Sequence, residues 1–485
     1  MAQQPIPPFL PVSALSADLD AFVSVGAASL AGFADARATF ECTLAHPRGG
    51  REETATGFMV LAGVEPLVDA LERFKLKTDE LGWLEPLGIL DTGAFERLRT
   101  MRFACDVDGP PEGTVVFPGE PILSIEGPFW QAQLVAALVK GALATSTTFA
   151  SRAARLALAA GSAEIIEGYS ASLHRLGGNA LAGRAAFIGG VAATTNALAA
   201  RRYRIPIRTS MPQNLVLGAP DAERAITALS KTMRDRPCLR LDPRSPLTSL
   251  AIIVASLKKR GAAHFGKNDI ALEIASGDRI ELARAATEAF RAAGLPEPTL
   301  VCSGDLDERR IAELVQRKAR YSGFLLREPF GDEELSAHYD LVAVERDGQW
   351  APRIRVGESA TDTSDPGRKV IVRYADRSGA PVCDVAHATK ERFLPSADIR
   401  FVERHSALPT RLAAQAMTPL FSPIMRAGLR VQAAEPARVI RERALKNVKA
   451  LADRYRRAGC EAYPYGLTPT LAEMKTSLLE QARGV

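Results

Sequence analysis

Apolar and polar positions follow two rhythms along this chain, and both are clearest between residues 270 and 311. Ile270, Leu272 and Ile274 recur at every second position of a short run, the period of a strand. Ser276-Gly277-Asp278 breaks the run with turn and cap chemistry. From Ile280 to Ala293 the apolar residues take helical spacing, and Gly294 with Pro296 stops the helix. Thr299 to Cys302 repeats the strand rhythm, and Ser303-Gly304-Asp305 repeats the turn. Two short strands separated by one helix predict a parallel pair with a helical crossover. Both Ser-Gly-Asp turns then fall at the carboxyl ends of parallel strands, where α/β folds carry their chemistry. One such turn reads as a helix cap alone. A tandem pair in the same position makes Ser276, Gly277, Asp278, Ser303, Gly304 and Asp305 candidate binding residues.

The strand rhythm also occurs at 164–169, 205–211, 237–242, 321–327 and 339–345. Helical stretches separate most of these runs, among them 180–201, 221–233, 246–260 and 306–318. Such regular alternation predicts a closed parallel barrel rather than an open sheet. Upstream the pattern is mixed. A helix at 15–33 precedes strands at 38–44 and 57–62, short helices at 65–74 and 77–84, and strands at 103–108, 113–118 and 122–126. An alanine-rich helix from Trp130 to Ala150 follows. Beyond Glu345 the chain turns into polar loops with short strands at 353–356 and 369–374, then closing helices at 436–458 and 469–482. The expected fold is α/β: an irregular α/β barrel over 146–350, plus an α+β domain assembled from the N-terminal segment 1–145 and the C-terminal segment 351–485.

Composition narrows the function classes. With 485 residues, 47% of them hydrophobic, the chain buries a large core. Its net charge of +5 is scattered, with no basic-aromatic pattern, so no nucleic-acid partner is expected. No apolar run approaches the ~18 residues of a membrane span. The opening MAQQPIPPFLP lacks the cationic and apolar regions of a secretory signal, and its prolines predict an extended tail. The six cysteines are widely spaced without a C-x-x-C pair, which fits reduced thiols in a cytoplasmic protein. The six histidines show no metal-ligand spacing.

Several longer stretches resemble one family. They are PPEGTVVFPGEPILSIEGPFWQAQLV at 110–135, LAGVEPLVDAL at 61–71, ASGD at 275–278, SGDLDERRI at 303–311, DPGRKVIVR at 365–373 and the terminal YPYGLTPTLAEMKTSLL. In order along the chain, these are similar to motifs of the nicotinate phosphoribosyltransferases. The resemblance implies an irregular barrel joined to a domain built from both chain ends, and a homodimer with sites near the interface. It also implies condensation of nicotinate with phosphoribosyl pyrophosphate, coupled to ATP through a phosphorylated histidine.

The resemblance is weakest where that family does its chemistry. The family's anion-holding arginine pair after the first barrel strand is Ala171 and Ser172 here, with Arg175 a few residues on. Gln213 stands at the position of the phosphate-accepting histidine, and an amide is no phosphoryl acceptor. His174 is the nearest substitute. Asp242 is kept in the third loop, but Pro243 and Pro246 reshape it and remove two donors. Glu273 and Ala275 replace an arginine and an aspartate of the fourth strand. Leu325 and Arg327 fall where the family's glycines let backbone approach a phosphate, and Glu328 falls near where that anion would bind. Asp18-Leu19-Asp20 lacks the tyrosine that completes a neighbouring subunit's site.

Three readings follow. The first is a non-catalytic relative with a structural, scaffolding or regulatory role, as a homodimer or a heterodimer with an active family member. The second is an enzyme on a changed substrate, with Arg208, Arg240, Arg244 and Arg327 forming a new anion site. In it Asp242, Asp278 and Asp305 hold Mg²⁺ or ribose hydroxyls. Mg²⁺ and ATP are implied only if the family activity survives. The third is a nucleotide or pyridine sensor without turnover, taking a small anionic ligand. The candidate substrate-binding set is Asp18, His174, Asp242, the two Ser-Gly-Asp turns and Arg327, with Gln213 at the family's catalytic position.

Overall fold

The computed structural model describes residues 13–45, 57–170, 179–233, 237–260, 270–327, 335–359, 362–394, 398–404, 406–456 and 461–483. The chain divides into two compact units, one of residues 1–151 and 333–485, the other of residues 152–332.

In the first unit, Arg37–Ala45 and Pro121–Pro128 form the middle of a seven-stranded antiparallel sheet. Its apolar face packs on helix Leu19–Leu30, with Phe22, Phe40, Leu123, Ile125 and Trp130 buried in one core. The strand expected at 339–345 belongs here and not to the barrel. It runs Ser336–Arg346 and pairs antiparallel with Arg37–Ala45, from Ala38 opposite Val344 to Ala45 opposite Ser336. Alternation marks a strand but not its partner, which is why the sequence misplaced it.

A second, six-stranded sheet fills much of what read as polar loop. It contains Lys369–Ala375, Pro381–Ala388, Ile399–Glu403, Pro409–Leu412, Ala416–Pro419 and Tyr465–Leu467. Only the first of these was foreseen. The strand expected at 353–356 lies instead at Gln349–Pro352. Most of these strands are only three to five residues long, and Pro409–Leu412 and Ala416–Pro419 are largely exposed, so their apolar period is faint.

The second unit is an all-parallel array: β1 Glu164–Glu167, β2 Ala193–Thr194, β3 Cys238–Arg240, β4 Ala271–Ile274, β5 Thr299–Ser303 and β6 Gly323–Leu326. Their spatial order is β2-β1-β6-β5-β4-β3, a ring with one seam between β2 and β3. The segment expected as a strand at 205–211 bridges that seam irregularly. Thr194 N–H donates to the Pro206 carbonyl at 2.9 Å, Arg208 N–H to Thr194 at 3.2 Å, and Met211 N–H to Cys238 at 2.9 Å. Pro206 and Pro212 lack the donors a regular ladder needs. One apolar side chain from each strand meets in the interior: Ile166, Ala193, Cys238, Ala271, Val301 and Leu325. This is the layered filling of an α/β barrel. The helix expected across 180–201 is two, Asn179–Gly189 and Ala197–Tyr203, with β2 between them.

Buried charge in the first unit has a measurable consequence. Glu41 is buried, its Oε2 lies 2.7 Å from Lys369 Nζ, and its Oε1 has no hydrogen-bond partner among the described residues. Burial outweighs Lys369 and lifts the carboxyl to about 7. The folded state therefore holds this proton more tightly than the unfolded chain, whose carboxyl titrates at about 4.3. Stability from this group is full below that value and is lost as pH rises to about 7. Glu41→Gln should flatten that limb, changing the wild-type-minus-variant difference by on the order of 3 kcal/mol between pH 4.5 and 7.5. Urea melts across this range check it; parallel curves for the two proteins would contradict it.

Candidate functional site at the barrel mouth

Side chains two residues apart on a strand share a face. The residues two beyond the apolar layer therefore form the next layer up, toward the carboxyl ends of the strands. From Cys238, Ala271, Val301 and Leu325 this rule gives Arg240, Glu273, Ser303 and Arg327. They form one polar cluster. Glu273 has no exposed surface, and Arg327 grips it with Nε on Oε1 at 3.0 Å and Nη2 on Oε2 at 2.8 Å. Ser303 Oγ donates to Oε1 at 2.5 Å, and Arg240 Nε lies 3.6 Å away. Arg327 Nη2 also donates to Ser210 Oγ. Burial pushes the Glu273 carboxyl up, but the Arg327 fork and charge, with Ser210 and Ser303, outweigh it and hold it below its usual value. Glu273 was read from sequence as a lost arginine. Its role as the hub of the mouth was not foreseen.

A second buried carboxylate closes the turn after β1. Glu167 Oε1 accepts from the backbone N–H groups of Tyr169, at 2.7 Å, and Ser170. Its Oε2 accepts from Ser170 Oγ at 2.9 Å and Thr194 Oγ1 at 2.5 Å. Asn196 Nδ2 extends the network to Ser170 Oγ at 3.0 Å. Polar residues in an otherwise apolar strand end were the available signal.

The two Ser-Gly-Asp turns diverge in use. Gly277 and Gly304 both have positive φ, at 79° and 92°. Asp278 caps helix Arg279–Ala292, its Oδ1 accepting from Ile280 N–H at 3.0 Å and Glu281 N–H at 3.1 Å. Ser276 Oγ donates to the Pro243 carbonyl at 3.1 Å. Asp305 pairs with Arg310, while Asp307 caps the next helix, Glu308–Gln316. Gly304 sits where Arg279 passes between the turns, its Nη2 3.3 Å from the Ser303 carbonyl.

Beside this cluster lies a cavity of about 260 Å³. Met211, Leu217, Ile226 and Ile252 give it apolar walls, and Gln213, Arg240, Asp242 and Arg244 give it polar ones. Gln213 opens the short helix Gln213–Gly218. Arg244 folds back on Asp242, with Nε to Oδ1 at 3.2 Å and Nη2 to Oδ2 at 3.0 Å, and holds that carboxyl below its usual value. Asp242, Asp278 and Asp305 thus have separate partners. Among the described residues no group of three His, Cys, Asp or Glu is placed to hold a metal. Asp18 belongs to the first unit, at the N-cap of Leu19–Leu30, and makes no cap bond through its side chain. Ala171, Ser172, His174, Arg175 and Glu328 lie outside the described residues.

The model of the nicotinate phosphoribosyltransferase N-terminal domain matches residues 22–139, and that of the C-terminal domain matches residues 368–475. A nicotinate phosphoribosyltransferase of Bacillus subtilis is 30% identical over 332 residues, 66% of this chain and 66% of that one. The pncB1 nicotinate phosphoribosyltransferase of Mycobacterium tuberculosis is 32% identical over 345 residues, 70% of this chain and 74% of that one. The chain belongs to the nicotinate phosphoribosyltransferase family. The crystal structure of human nicotinic acid phosphoribosyltransferase superposes with a TM-score of 0.80 at 21% identity, covering 95% of this chain and 99% of that one, which shows the shared fold. The two family models fall on segments of the first unit, and the barrel with its mouth lies between the matches.

Of the two conspicuous turns of this family member, the second is the tighter. A Cβ on Gly304 would stand 2.4 Å from the Ala275 carbonyl oxygen, whereas one on Gly294, also at positive φ, meets nothing within 4 Å. Gly304→Ala should destabilise by about 2–4 kcal/mol and Gly294→Ala by about 1 kcal/mol. Equal losses in denaturant melts would contradict this account of the turn.

Proposed function

We propose that this nicotinate phosphoribosyltransferase-like protein, of a family tied to NAD salvage, does not carry out the family's transfer and serves a structural or regulatory role. The observation that carries this reading is the Glu273 hub. The guanidinium at the end of β6 and the hydroxyl at the end of β5 are committed to an internal carboxylate. Phosphoribosyl transfer needs preorganised cations and donors facing the phosphates, and loss of one such donor typically costs about a hundred- to a thousandfold in rate. Gln213 supports the same reading, because its amide has no group to accept a phosphoryl from ATP. The second reading, an enzyme or sensor for a different ligand, is favoured by the half-apolar cavity lined by Gln213, Arg240 and Arg244.

Purified protein with nicotinate, phosphoribosyl pyrophosphate, ATP and Mg²⁺ is expected to form no nicotinate mononucleotide above an enzyme-free control, and to gain no acid-labile phosphate. Gln213→His alone is expected to leave both results unchanged. ATP-stimulated product from the unaltered chain would move the conclusion to an active enzyme.

We also propose that the protein self-associates through helix Leu19–Leu30. That helix buries Phe22 and Val25 on one side, yet leaves Leu19, Val23 and Leu30 exposed at 53%, 44% and 76%. A second copy of the same face is the occupant, giving a homodimer. Val23→Glu with Leu30→Glu should convert a dimer to a monomer in light scattering at micromolar concentration with little loss of helicity. A wild-type monomer would refute the proposal.

A further inference from the structure

We infer that the Glu273 carboxylate is a built-in anion filling a latent oxyanion site at the barrel mouth, and that deleting it opens the site to inorganic phosphate. Four features support the inference. The donors that meet Glu273 are those a phosphate group would recruit: a guanidinium fork through Nε and Nη2, a serine hydroxyl, and a second guanidinium. Their placement does not depend on Glu273 alone, because each follows an interior apolar residue by two positions on its own strand. Ser210 also braces Arg327 from the irregular segment.

Charge is the second feature. Arg240 and Arg327 face one carboxylate, so the cluster holds a single surplus positive charge with Glu273 and two without it. The third is an unmet donor: Arg240 Nε is buried without a hydrogen-bond partner among the described residues, 3.6 Å from Glu273 Oε1. The fourth is access. The Arg327 side chain is 34% exposed, and Arg240 also forms part of the cavity wall, so an ion has a route to both. The competing carboxylate on that wall, Asp242, is already held by Arg244.

The inference shares with the proposed function the premise that the mouth is closed to phosphates, but it is tested on variants and by binding. Turnover by the wild type would therefore defeat the former without deciding the latter. Inorganic phosphate is titrated calorimetrically at low ionic strength into wild type, Glu273→Ala, and Glu273→Ala with Arg327→Gln. Glu273→Ala should bind at least about tenfold more tightly than wild type, and the double variant should lose that gain. Thermal melts with and without tens of millimolar phosphate accompany the titrations. If Glu273→Ala is unstable alone, phosphate should raise its melting temperature, because the ion restores the missing partner of the two arginines. Three results would overturn the inference: a folded Glu273→Ala that binds no better than wild type, a gain that persists without Arg327, or an unstable variant that phosphate does not stabilise.

Discussion

A carboxylate with no exposed surface stays ionised only if cations and donors replace the water it has lost. Glu273 is such a group, and the barrel mouth is arranged around meeting that need. Its fork partner comes from β6, its hydroxyl from β5 and its second cation from β3, with Ser210 holding the far side of the fork. The cost of breaking such a buried pair by deleting one partner is about 3–5 kcal/mol, well above that of a surface ion pair. The same interaction therefore ties three strand ends of the mouth together.

The first unit uses the same device, and it changes how its family-like motif is read. In DPGRKVIVR at 365–373, the charged residues Asp365, Lys369 and Arg373 are each buried in an ion pair. Asp365 meets Arg404 and Lys475, Lys369 meets Glu41, and Arg373 meets Asp384 with Glu120 close by. Lys369 also spends its remaining donors on the carbonyls of Asp365, at 2.8 Å, and Gly367, at 2.9 Å. The motif builds the core of the sheets, which fits the C-terminal domain model falling on residues 368–475.

What was legible in the sequence followed from periodicity. β1 and β3 to β6 each showed up as a short apolar run before a turn, because strands buried on both faces leave that mark. β2 did not, being two residues between helices, and neither did the short strands after residue 375. Strand membership was less legible than strand existence, as Ser336–Arg346 shows, because a partner is chosen by long-range packing. Of the site, the tandem turns were visible, but their aspartates mostly cap helices or hold nearby arginines. The true hub was visible only as a charge in the wrong place. A lone glutamate inside an apolar strand, and a lone arginine ending another, become informative only when the barrel brings them together.

That pairing couples two distant positions of the chain. Glu273 and Arg327 lie 54 residues apart in the chain and meet in the folded barrel. Placed alone among the apolar layer and Arg240, an arginine at 327 would add an unpaired cation beside another. A glutamate at 273 without that guanidinium would keep Arg240, at 3.6 Å, and the Ser303 and Ser210 hydroxyls. Each buried charge is tolerable because of the other, so the two residues form one coupled unit. Replacing either singly leaves a buried charge short of partners. The pair is thus kept as a unit, because losing either member leaves the other without its main partner.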